Sequence, residues 1–99
     1  MKERRVQFTE TANQHVDRER TWWHTNRDYH EVFTTELESA ITLLRLLPGV
    51  GTLYPHTTVA ELRRLYIRKL ACHLYYTFND DEVIVWALRG ARRERGPEI

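Results

Sequence analysis

Four arginines, Arg89, Arg92, Arg93 and Arg95, follow directly on the apolar run Val83-Ile84-Val85-Trp86-Ala87-Leu88, with Glu94 the one acid among them. Guanidinium groups stay charged at any physiological pH and present forked donors to phosphates and carboxylates. A cluster of them at the end of a β-forming run is a binding surface for an anion, although solvated surface charge has the same appearance. Two further basic residues, Arg63 and Arg64, lie inside another β-forming run. His73 opens a third and has two readings, a functional imidazole or a hydrogen-bonded structural one. The remaining chemistry-bearing residues combine into nothing comparable. His15, His24, His30 and His56 with Cys72 lack the spacing of a zinc site. There is neither a glycine-rich phosphate loop nor a Ser/His/Asp order. No metal and no cofactor is therefore expected, and hydrolases of small molecules are set aside.

The elements that must position these groups can be read from periodicity. Arg5-Val6-Gln7-Phe8 alternates polar and apolar, as a half-buried strand does. Thr9 caps a helix whose Ala12, Val16 and Trp23 share a face up to about residue 26. Asp28 followed by Glu31 has the form of a capping box, and Phe33, Leu37, Ile41 and Leu44 recur at helical spacing to about Leu46, where Pro48-Gly49 stops the helix. The short break implies an antiparallel helical hairpin. Strands are expected over 62–67, 72–78 and 83–89, the last two joined by a turn at Asn79-Asp80-Asp81. The order β-α-α-β-β-β gives an α+β fold, a small, mostly antiparallel sheet packed against an N-terminal helical hairpin. Adjacent helix positions point in different directions, so Trp23 is assigned to the core and Trp22 to an interface; a platform for stacking bases is the other reading. Tyr75 and Tyr76 should face opposite sides of their strand, one in the core and one exposed.

The chain of 99 residues fits one domain over 1–99, too small for a core plus an enclosed active site. It has no apolar run long enough for a bilayer, no secretory start and a lone cysteine, all of which point to a cytoplasmic setting. Net charge is only +1 but unevenly placed. Residues 63–95 carry eight Lys/Arg against four acids, a balance of +4, whereas residues 9–47 carry four Arg against seven acids, a balance of −3. A basic end and an acidic helical pair fit a protein with different partners at different sites.

Residues 4–97 resemble the RelE/ParE superfamily of toxins from bacterial type II toxin–antitoxin systems. The resemblance rests on the opening strand with Ala12, on Leu46-Leu47-Pro48-Gly49-Val50-Gly51, on Leu62-Arg63-Arg64-Leu65, on His73-Leu74-Tyr75-Tyr76 and on Trp86 to Arg93. It implies a protein that arrests growth when free and is neutralised by an antitoxin in a hetero-oligomer. On this chain the antitoxin would contact Trp22, Tyr29, Val32 and Leu43, in the groove beside the helices.

The two branches of the superfamily differ in chemistry. A RelE-like member cleaves messenger RNA in the ribosome, with basic residues on the central strands and often a residue near the C-terminus. Here His73 stands where that branch carries an arginine, Tyr66 replaces a lysine, and Ile99 falls where a tyrosine is usual. A substitute set would use His73 as general base or acid, with Arg64 and Arg93 on the scissile phosphate. A ParE-like member poisons DNA gyrase. Proteins that work among ribosomal phosphates tend to be strongly basic, and fifteen cations against fourteen acids match poorly. The sequence therefore favours a gyrase-directed toxin, contacting its target through Arg89, Arg92, Arg93 and Arg95. The alternatives are a ribosome-dependent endoribonuclease and an inactive module that still binds antitoxin.

Overall fold

The computed structural model describes residues 2–28 and 31–91. Strand β1 (Arg5–Phe8) leads into helix α1 (Glu10–Asn26), followed by α2 (Glu31–Leu46) and a short 3-10 turn at Pro48–Val50. Strands β2 (Thr52–Leu53), β3 (Arg63–Ile67), β4 (Cys72–Phe78) and β5 (Glu82–Gly90) follow, with a second 3-10 turn at Arg68–Leu70. The expected α+β order holds. Thr9 caps α1 as expected, its hydroxyl accepting the Ala12 N–H at 3.0 Å. Asn79 organises the β4–β5 turn, its side-chain oxygen accepting the N–H groups of Asp81 and Glu82 at 2.8 and 2.9 Å.

The sheet has five strands in the order β1-β5-β4-β3-β2, one more than the pattern suggested. The additional strand, β2, is two exposed residues long, too short to alternate visibly. It pairs antiparallel with β3, as β3 does with β4 and β4 with β5, while β1 runs parallel to β5 with Val6 opposite Val83.

One face of the sheet packs on the helices. Phe33, Leu44, Leu74, Tyr76, Val83, Val85 and Leu88 join Ala12 and Trp23 in this main core. The opposite face carries a smaller cluster of Leu62, Tyr75 and Ala87, against which Tyr54, Val59 and Trp86 pack. That cluster corrects the expectation for the tyrosine pair. Both are buried, Tyr76 at 0% and Tyr75 at 4% exposure, because the 54–62 segment folds over part of the second face.

A β-bulge decides what the rest of that face presents. Tyr76 lies opposite Val85 but Tyr75 lies opposite Ala87, so Trp86 is an extra residue in β5. Side chains alternate between faces along a strand, so one inserted residue reverses the parity of everything after it. Val85 before the bulge and Leu88 after it both reach the main core, and Ala87 joins Tyr75 on the other side. Arg89 follows Ala87 onto that face.

Candidate functional site: the open face of the sheet

Two cross-strand rows occupy the face turned away from the helices. Tyr66 of β3, His73 of β4 and Arg89 of β5 form one; Arg64, Tyr75 and Ala87 form the next, with Thr52 of the edge strand opposite Arg64. Residues distant in sequence thus meet because three antiparallel strands are in register and the bulge sets the parity of β5. The Tyr66 and His73 rings lie 5.1 Å apart, tilted by 47°. The His73 and Tyr75 rings lie 6.1 Å apart.

Beside this pair is a depression of about 470 Å³ lined by Val50, Gly51, Thr52, Arg64, Leu65, Tyr66 and His73, with no carboxylate in its wall among the described residues. The wall is held by Tyr76, reaching through from the main core. Its hydroxyl donates to the Pro48 carbonyl at 2.6 Å and accepts the Gly51 N–H at 2.8 Å. Burial pushes the Tyr76 phenol above its ordinary pKa, so the hydroxyl keeps its proton for that bond. Gly51 is required by close approach: a Cβ there would lie 2.5 Å from Tyr76 Oη and 2.7 Å from the Arg64 carbonyl oxygen. From the adjacent strand, Arg63 Nη1 donates to the Gly51 carbonyl at 2.8 Å.

The electrostatics favour an anion. Arg64 stacks over the Tyr54 ring at 5.1 Å, and none of the described carboxylates makes an ion pair with it. Partial burial, and secondarily the Arg64 charge, hold His73 below the usual imidazole pKa, so the ring is neutral at pH 7. His73 makes no hydrogen bond with a described residue. A neutral imidazole can accept a proton, a nearby guanidinium can stabilise negative charge, and a half-exposed tyrosine ring offers an aromatic face.

The candidate residues fare unequally. Arg64 and His73 come together as the ribonuclease reading requires. Arg89 shares their face but not their exposure: it is buried, at 7%, and its Nε finds no acceptor among the described residues. Arg89, expected to contact the target with the tail arginines, is thus a buried residue of β5. Arg92, Arg93 and Arg95, and with them Tyr29, lie outside the described residues. On the helices, Trp22 is 39% exposed and Trp23 is buried. Val32 and Leu43 are half-buried. Arg27 lies over both indoles, at 5.0 and 5.7 Å. A groove of about 510 Å³ runs along the C-terminal half of α1, lined by Trp22, Trp23, Leu70, Cys72 and Gly90 among others. Two other histidines serve structure. His15 Nδ1 accepts the Leu88 N–H and His56 Nδ1 the Thr58 N–H, each at 3.3 Å. Tyr66, marked in the sequence only by the lysine it replaces, stands two residues after Arg64 on an alternating strand, which puts both on one face.

No protein-family model matches the sequence, and no curated protein does. Solved structures do. A chain of the chromosomal ParDE system from P. aeruginosa superposes with a TM-score of 0.69 at 11% identity, over 88% of this chain and 95% of that one. The E. coli DinJ–YafQ toxin–antitoxin complex gives 0.63 at 16% identity, over 95% of this chain and 99% of that one. YafQ from E. coli strain BL21(DE3) gives 0.58 at 16% identity, over 88% and 92%. The fold is that of the RelE/ParE-type toxins. The likeness covers 88–95% of this chain.

Proposed function

We propose that this chain is the toxin of a toxin–antitoxin pair and that its open sheet face cleaves RNA. The observation that carries this reading is Arg64, Tyr66 and His73 side by side in one depression that no described carboxylate lines, with the imidazole neutral at pH 7. In the step proposed, His73 accepts the proton of a ribose 2′-hydroxyl, and the 2′-oxygen bonds to the adjacent phosphorus. The bond from phosphorus to the 5′-oxygen breaks, leaving a 2′,3′-cyclic phosphate and a 5′-hydroxyl. Water protonates the departing oxygen, and the imidazolium returns its proton to solvent. Arg64 stabilises the charge that builds on the phosphorane; Arg93 has the same role by family resemblance. By the family resemblance the antitoxin would contact Trp22, Tyr29, Val32 and Leu43.

The second reading, a gyrase-directed toxin acting through Arg92, Arg93 and Arg95, is favoured by the charge balance: a net +1 gives little general attraction to a phosphate-dense ribosome. Induced expression of the gene alone separates the readings when transcript ends and trapped DNA breaks are mapped in the same cells. New 5′-hydroxyl transcript ends support RNA cleavage, intact transcripts with broken DNA support gyrase, and unimpeded growth excludes an active toxin.

A further inference from the structure

We propose that the depression beside His73 selects single-stranded RNA by stacking one unpaired base on the ring of Tyr66. The inference rests on the phosphodiester reading of the site and names what must lie next to the scissile phosphate. Of Tyr66 and Tyr75 on this face, Tyr75 is covered, with Tyr54 edge-on to its ring at 5.2 Å, whereas Tyr66 is 49% exposed. His73 meets the Tyr66 ring at a 47° tilt rather than stacked parallel on it. Val50 gives the same depression an apolar wall, and Arg64 gives it a cation. Arg64 and Tyr66 are alternate residues of β3 on one face, roughly 7 Å apart along the strand. A single nucleotide can span that distance, its phosphate on Arg64 and its base on Tyr66. A duplex cannot, because its bases are stacked on one another and paired.

Equilibrium binding of the full chain to a short fluorescein-labelled 2′-O-methyl RNA tests this, since the methylated ribose binds but cannot be cleaved. The oligonucleotide is used alone and annealed to its complement, against the natural chain, Tyr66→Ala, Tyr66→Phe and Tyr66→Trp, with a melting curve for each. Expected are tighter binding of the single strand than of the duplex, a loss of about 5- to 150-fold in Tyr66→Ala, and retained affinity in the two aromatic variants. Equal affinity of Tyr66→Ala and the natural chain overturns the stacking inference and leaves the phosphodiester reading standing. So does Tyr66→Phe failing like Tyr66→Ala, which would assign the effect to the hydroxyl, and so does duplex binding as tight as single-strand binding. Absence of single-strand binding by the natural chain overturns the stacking inference, whereas the phosphodiester reading falls only if a transcript stays whole in a translation reaction supplied with the chain.

Discussion

Replacing Tyr76 with phenylalanine isolates the bond that holds the wall of the site. The ring is fully buried, so Phe keeps its packing and removes only the hydroxyl. Two backbone groups lose their partner together, the Pro48 carbonyl at 2.6 Å and the Gly51 N–H at 2.8 Å. An unsatisfied buried group costs about 1–3 kcal/mol, so the pair should cost about 2–4 kcal/mol once the segment relaxes partly toward water. For a domain near 100 residues that is a fall in Tm of about 10–20 °C. Thermal unfolding followed by circular dichroism, with urea unfolding as a check on two-state behaviour, measures it. Because Val50, Gly51 and Thr52 line the depression, activity should fall as well, below the midpoint of unfolding. A variant melting within a degree or two of the natural chain would refute the reasoning, since water would then replace the phenol at no cost.

Gly51→Ala should destabilise by about 1–3 kcal/mol through overpacking against Tyr76 and the Arg64 carbonyl, read as a lower urea midpoint. Arg64→Gln removes a charge that opposes the imidazolium. The pKa of His73 should therefore rise, seen by NMR titration, and the acid limb of the pH–rate profile should move to higher pH. The stability linkage has a fixed sign. A histidine whose folded pKa is depressed leaves the unfolded chain binding more protons, so acidification from the ordinary histidine range down to the folded pKa lowers stability. His73→Gln should flatten that part of a plot of urea midpoint against pH. Phe33→Ala should cost about 3–5 kcal/mol, because the ring is 1% exposed in the main core, and the chain should then show little cooperative melting at 37 °C.

Local pattern carried most of the architecture. The Thr9 cap, the stop at Pro48 and the Asn79 turn are each written in a few adjacent residues, and the structure uses them as such. Long-range features left no such trace. Nothing near Arg5–Phe8 indicates that it runs parallel to Glu82–Val85, and β2 is too short for periodicity to show. The bulge at Trp86 matters most for the site: without it Arg89 would share a face with the main core, and no residue type at 85–87 announces it. Burial of Tyr75 followed the same logic, since it is covered by the 54–62 segment, distant in the chain. Arg64 and His73 were legible as residue types, but their union depended on the β3–β4 register, which pairs Tyr66 with His73.

The most direct test of the central claim supplies the purified chain to a bacterial cell-free translation reaction and analyses a defined transcript. The account predicts cut RNA ending in a 2′,3′-cyclic phosphate, loss of cleavage in His73→Gln, and protection of the cut site by a single 2′-deoxy substitution at the attacking ribose. A transcript that stays whole, in a reaction whose added gyrase accumulates broken DNA, would contradict it.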